Sequence, residues 1–190
     1  MSIHQKSSYQ TIIDLSQSIR KIQADSFQIK LQSMNSIIGL KRNRDNRSGF
    51  AAVSNNLIDF SNQMNEQAEI LSSKVDTILL AFTHLKKNDR RINLLSRAKS
   101  SSEFIQKLQD SKKDWVAIIQ QSFLEIDDQI TKAMRICKLG NVVVIFSKVE
   151  AAYMSSDSEI YDKLSEDIGN AINSIIESFK NIKENLGKSK

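Results

Sequence analysis

The sequence predicts an all-α fold, an elongated antiparallel four-helix bundle with coiled-coil-like packing, made of two helical hairpins in tandem. Three observations lead there. First, the 190 residues include no Pro and only five Gly; helix interiors exclude Pro because it lacks an N–H and clashes with the preceding turn, whereas sandwiches and α/β folds draw on Pro and Gly at their turns. Second, residues 49–86 carry apolar side chains at steps of three or four throughout: Phe50, Val53, Leu57, Phe60, Met64, Ala68, Leu71, Val75, Ile78, Phe82 and Leu85. That narrow seam cannot bury itself and needs partner helices lying nearly parallel, at about 20°. Third, similar seams recur on either side, separated by short polar or Ser-rich stretches.

The elements follow in order within one domain, residues 1–190. Hairpin one covers about 5–86, a connection about 87–102, and hairpin two about 103–186. The first helix, over 5–41, carries Ile12, Leu15, Ile19 and Ile22. After a shift come Phe27, Leu31, Met34 and Ile38, read as the continuation of the same buried face, with Ser16, Ser18 and Ser26 diluting it. The polar run around Lys41 to Arg47 is the first tip, and Ser48 is placed to cap the second helix. That helix spans about 55 Å at about 1.5 Å per residue. The charged, Ser-rich 87–102 stretch reads as the link between hairpins.

The third helix carries Phe104, Leu108, Trp115, Ile119, Phe123, Ile126, Ile130, Met134 and Cys137. Its Val142–Phe146 run is β-branched enough for a strand. A lone strand has nothing to pair with, so the segment is read as helix with a weak point at Gly140. A turn over Tyr153–Ser158, capped by Asp157 or Ser158, leads to the fourth helix with Tyr161, Leu164, Ile168, Ala171, Ile175, Phe179, Ile182 and Leu186.

The segment from Asn35 to Leu57 resembles the tip of the cytoplasmic signalling hairpin of methyl-accepting chemotaxis receptors, roughly N-A-x-I-E-A-A-R-A-G-E-x-G-x-G-F-A-V-V-A-x-E-V. Without a gap, Asn35 takes the first Asn, Ile38 the Ile, Arg42 the Arg, Gly49-Phe50-Ala51 the G-F-A, Val53 the second Val and Leu57 the last apolar position. Gly39 stands where the family has Glu, Arg44 and Arg47 where it has Gly, and Asn56 where it has Glu. The second tip, Lys148-Val149-Glu150-Ala151-Ala152-Tyr153, is similar to the receptor x-I-E-A-A-R, with Asp167-Ile168 on its E-V.

Both tips agree on one offset. Adding 111 takes Phe50 to Tyr161, Leu57 to Ile168, Met64 to Ile175, Ile19 to Ile130, Leu31 to Val142, Met34 to Ile145 and Ile38 to Val149. Regular seams can always be slid into register, so the weight lies on the two tips falling at the same spacing. The receptor's signalling region is a four-helix dimer of hairpins. The resemblance therefore implies a single chain imitating that dimer, with both tips at one end.

By the same resemblance the function would be non-catalytic: a signalling or adaptor protein acting through protein–protein contacts at the hairpin tips. Its partners would be a chemotaxis-type kinase, a coupling protein or receptors. The tip positions concerned are Asn35, Ile38, Arg42 and Phe50 in the first copy, and Val149, Glu150 and Tyr161 in the second. Gly39 lacks the carboxylate that could form charged contacts there.

Two other readings stay open. Basic residues bunch at Lys41, Arg42, Arg44 and Arg47 and again at Lys86, Lys87, Arg90, Arg91, Arg97 and Lys99, within a net charge of +5. A structural or nucleic-acid-associated helical protein could use them, although charge runs are more often solvated turns. His84, beside Lys86 and Lys87, could instead serve a His phosphotransfer bundle; His4 sits in the first residues. No catalytic set, no cofactor and no metal site is expected: there is no Gly-rich phosphate loop, no ferritin-like carboxylate and His set, and only Cys137 among thiols. With a single Cys, a polar first segment and no run of about 18 apolar residues, a soluble cytoplasmic protein is the expectation.

Overall fold

The computed structural model describes the backbone of residues 3–42, 48–98, 102–153 and 158–187, and the side chains of the same segments from residue 9, except 41, 42 and 48. Four helices account for nearly all of it: α1 (Ile3–Arg42), α2 (Ser48–Arg97), α3 (Ser102–Ala152) and α4 (Ser158–Gly187). The expected all-α bundle is what forms, and no strand occurs among the described residues. Gly140 does not interrupt α3, and Val142–Phe146 is helical. The Ser48 and Asp157 cap side chains, His4, and the basic group Lys41, Arg42, Arg44 and Arg47 lie outside the described side chains.

Each helix packs on two neighbours. α1 lies against α2 and α4, and α3 against α2 and α4, while the diagonal pairs stay apart among the described residues. Cross-helix partners run in opposite directions along every packed pair. Ser36 meets Ser54 and Ser26 meets Ser61 between α1 and α2. Asn88 meets Ser111 and Cys137 meets Met64 between α2 and α3. Ser147 meets Ser165 between α3 and α4, and Gly39 meets Tyr161 between α1 and α4.

The core is one continuous column from Ile12 and Leu186 through Met64, Ala133 and Cys137 to Val53 and Val144, with a second cluster at the tips. The expectation for α1 needs a correction here. Phe27, Leu31, Met34 and Ile38 are not the continuation of the buried face; Phe27 is 58% exposed and Ile38 47%. The buried line runs on without a shift as Ile22, Ser26, Ile29, Ser33, Ser36 and Leu40. The reason is rotation: the five-residue step from Ile22 to Phe27 turns the helix by about 140° beyond a full turn at about 100° per residue. Alternating steps of three and four keep the serines inward instead. Phe104, expected on the α3 seam, is likewise exposed.

Burying hydroxyls requires partners. Ser26 and Ser33 donate to the carbonyls of Ile22 (2.7 Å) and Ile29 (2.8 Å) in their own helix. Ser61 reaches across and donates to the Ser26 carbonyl at 2.5 Å, a contact that only a small seam residue on α1 permits.

The link between the hairpins is shorter than the sequence indicates. α2 runs on to Arg97 and α3 starts at Ser102. The charged stretch stays helical because its inward side chains find partners on α3. Asn88 is buried and donates to Ser111 at 3.3 Å, and Lys112 pairs with Asp89. Further along, Lys74 bridges to Glu125 at 2.5 Å and its hydrogen bond holds that carboxyl below the usual carboxylate range.

Glycine matters most at position 140. A Cβ there would lie 2.6 Å from Cε2 of the buried Phe60 ring. The offset mates of this pair, Ile29 (111 before Gly140) and Ala171 (111 after Phe60), carry the reverse allocation of bulk, large on α1 and small on α4. Gly140→Ala is therefore expected to destabilise despite the better helix former. Overpacking costs about 1–3 kcal/mol against a propensity gain of about 1 kcal/mol. Adding Phe60→Leu should recover most of the loss in urea denaturation midpoints; an unchanged midpoint for the single variant would show the ring is free to move. Burial pushes the Cys137 thiol up to about 12, so the native chain should resist a disulfide reagent until it unfolds, and labelling should track global unfolding. Because the folded value is raised, the thiol's contribution to stability is complete below about pH 9, its unfolded range, and fades as pH rises through about 12.

Candidate protein-contact site at the hairpin tips

α1 and α2 converge on the same end of the bundle as α3 and α4. Their shared end is closed by Leu40, Phe50, Ala151 and Tyr161, all buried. These four are two pairs related by the 111-residue offset, Leu40 with Ala151 and Phe50 with Tyr161. The aromatic rings meet edge to face, with centroids 4.6 Å apart and planes at 62°, an arrangement that aromatic quadrupoles favour.

Phe50 is 1% exposed and Tyr161 6%. Both were expected among the partner-contacting residues, and the structure places them inside. They hold the two hairpins together at the tip and cannot be reached by a partner without opening it. The cause is position: each is the first seam residue of its helix, and the other hairpin's equivalent residue lies across the axis.

The remaining tip positions divide differently. Asn35, Ile38 and Val149 are exposed, Ile38 and Val149 to 47% and 46%. Glu150 is half-buried, with its carboxylate so close to Gly49 that a Cβ at that position would run into it. Gly39 faces the Tyr161 hydroxyl, which a Cβ would approach to 3.4 Å. Arg42 ends α1, and its side chain lies outside the described residues.

One turn below the tip, each hairpin has a serine pair. The Ser36 and Ser54 hydroxyls lie 3.0 Å apart, and those of Ser147 and Ser165 lie 2.5 Å apart. Each member of the first pair maps onto a member of the second by adding 111. Two buried cross-helix hydrogen bonds at matching places are a stronger sign of a repeat than any apolar match, because a hydroxyl pair is not demanded by seam periodicity. Ser165 also donates to the Tyr161 carbonyl at 2.8 Å, so the second pair is tied to the tip.

Sequence reasoning missed the most extensive feature near this end. Phe27, Leu31, Met34 and Ile38 sit on the outside of α1 at helical spacing and form one exposed apolar stripe. On α3, Val142, Ile145 and Val149 occupy the equivalent positions and are exposed too, with Phe146 beside them. α1 and α3 are diagonal, so the molecule presents two such faces. The signal was present: the three-and-four ladder from Ile12 to Leu40 is unbroken if the serines are accepted as core, which frees the bulkier residues for the surface.

Elsewhere, His84 is half-buried and stacks on Trp115, with centroids 4.3 Å apart and planes at 8°. It stands towards the opposite end of α2 from the tip. Among the described residues no group of three His, Cys, Asp or Glu is placed to hold a metal ion, and no helix is long and apolar enough to cross a membrane.

The serine pairs can be tested for coupling. Ser36→Ala should cost about 1–3 kcal/mol by leaving the Ser54 hydroxyl buried without its partner. The Ser36→Ala/Ser54→Ala double variant should lose less than the sum of the single losses, with a coupling of about 0.5–3 kcal/mol by chemical denaturation. Strict additivity would show that the hydroxyls do not depend on each other. No protein-family model, curated protein or solved structure matches this chain.

Proposed function

We propose that this chain is a non-catalytic signalling or adaptor protein that works through protein–protein contacts on the tip half of its bundle, in the manner of a chemotaxis-receptor signalling hairpin. The observation that carries this reading is the stripe of Phe27, Leu31, Met34 and Ile38, repeated on the opposite face as Val142, Ile145 and Val149. Single exposed apolar side chains are ordinary, but aligned runs of them mark contact surfaces. The resemblance of both tips to the receptor motif supports the same reading, as does their convergence at one end.

The contact surface is then not the full set named from sequence. Ile38 and Val149, with Asn35 at the polar edge, carry it, while Phe50 and Tyr161 support it from within. Magnitudes bear on the strength. Burying a large aliphatic or aromatic side chain is worth about 1.5–3 kcal/mol, so four about half-exposed ones offer roughly 3–6 kcal/mol. Association costs about 4–15 kcal/mol in lost freedom before any gain. One stripe alone supports only a weak encounter. Two stripes on one rigid body permit binding at both, where the second contact is gained at a high effective concentration.

A pull-down with the chemotaxis-type kinase and coupling protein of the same cell tests this. Capture at micromolar concentration is expected for the unaltered chain, with loss of about tenfold or more in the Ile38→Asp/Val149→Asp variant, since a carboxylate in an apolar contact must be desolvated. Absence of capture, or capture indifferent to both substitutions, would remove the proposal.

A further inference from the structure

α4 is the shortest of the four helices, 30 residues against 40, 50 and 51, and both of its interfaces are incompletely closed. On the α1 side the fault is polar. Gly39 identifies the flank of α1 that faces α4, since a Cβ there would approach the Tyr161 hydroxyl. Counting back by sevens places Gln32 and Asp25 on that flank, opposite the one from which Lys30 reaches Asn62 of α2. Each holds an acceptor out of solvent with no hydrogen-bond partner among the described residues, Asp25 Oδ2 and Gln32 Oε1. An unanswered buried acceptor leaves its lost hydration uncompensated.

The second hairpin serves as the control. Adding 111 gives Ile136 and Val143, partly buried apolar residues packed on the core. They stand on the flank of α3 that Glu150 marks, by its closeness to Gly49, as facing α2. The scaffold therefore accepts apolar residues on this flank, and the polar pair is particular to the side that α4 covers. A third such atom, Gln67 Oε1, is on α2, whose contact with α3 is fastened by Lys74–Glu125, Asn88–Ser111 and Lys112–Asp89. On the α3 side of α4 the fault is open space. Two grooves, of about 280 and 470 Å³, lie between α3 and α4, and their linings reach Ile130, Val144 and Phe179 of the core. α4 carries Gly169 in the second groove, where α2 carries Ile58 at the offset position.

We infer that α4 is a releasable strap, which undocks as a unit while α1 and α3 stay packed on α2. Sub-global opening of this kind falls to the element with the least complete packing. Release separates Tyr161 from Phe50 and uncovers Phe50 and Leu40, which the closed tip buries. The tip core thus has a covered and an uncovered state, with α4 as the moving part. The inference rests on packing and stands whether or not the tips have the partners proposed above.

The offset mates Ser165 and Ser54 supply the test. They are 0% and 1% exposed, Ser165 where α4 meets α3 and Ser54 where α2 meets α1. In the full chain carrying Cys137→Ala, Ser165→Cys and Ser54→Cys are each treated with a disulfide reagent under native conditions. Ser165→Cys should react about tenfold faster or more, because release of α4 bares it without global unfolding. Importing the second hairpin's residues, Asp25→Ile/Gln32→Val, should slow Ser165→Cys labelling by about tenfold, since the unanswered acceptors are gone. Hydrogen exchange of the unaltered chain checks the ranking without any substitution. Amides of residues 164–182 should exchange about tenfold faster or more than those of 57–78, with a weaker dependence on urea because less surface is exposed. Equal exchange of the two segments would overturn the proposal, as would equal labelling of the two cysteines. So would a Ser165→Cys rate indifferent to Asp25→Ile/Gln32→Val.

Discussion

The succession of three- and four-residue steps between inward positions, which gives each of the four helices one buried face, is the constraint on which the rest of this molecule depends. A helix longer than ten turns can present one narrow face to a common axis only if the inward positions never lose register. On α1 the register is held at the expense of hydrophobicity. Ser26, Ser33 and Ser36 take seam positions, while Phe27 and Met34, each one residue after a seam serine, and Leu31 between them are turned outward. The chain accepts buried hydroxyls because each has a hydrogen-bond acceptor or partner close by, in its own helix or across the seam.

The serines have a second effect. They let α1 and α2 approach closely enough for a hydroxyl to reach a backbone carbonyl, as Ser61 does to Ser26. A larger seam residue would push the helices apart and lose that bond. The same trade between bulk and proximity operates at Gly140, where α3 gives up its side chain so that Phe60 of α2 can occupy the axis. The offset mates of this pair, Ile29 and Ala171, distribute the volume the other way. Cores tolerate such exchanges when total volume is preserved. The two hairpins thus share a frame while filling it differently.

Shared frame and different filling also organise the surface. Where both hairpins are alike, at the exposed stripes and the serine pairs, the bundle has two matched faces. Where they differ, along the flank that holds Asp25 and Gln32 on α1 and Ile136 and Val143 on α3, only one is polar. A dimer of identical chains cannot make such a distinction, since every change appears on both sides. A single chain holding two hairpins can. Joining them through a short link after Arg97 keeps the two halves in fixed proportion while letting each acquire its own surface.

Much of the architecture was legible in the residues alone. The absence of Pro, the long seam on α2 and the offset between the tips determined four helices, two hairpins and a shared tip end, because helical periodicity is a local property that survives without knowledge of neighbours. On α1 the linear pattern offered two adjacent stripes, an unbroken ladder that includes serines and a more apolar set reached by a shift, and the tertiary structure selects between them. Phe27, Leu31, Met34 and Ile38 are the more apolar set, so hydrophobicity pointed to them. Only the placement of α2 and α4 around α1 selects Ser26, Ile29, Ser33 and Ser36. The tip aromatics turned on the same point. Phe50 and Tyr161 resemble contact residues in sequence, yet each is the other's packing partner across the axis, and that pairing exists only once the two hairpins are assembled.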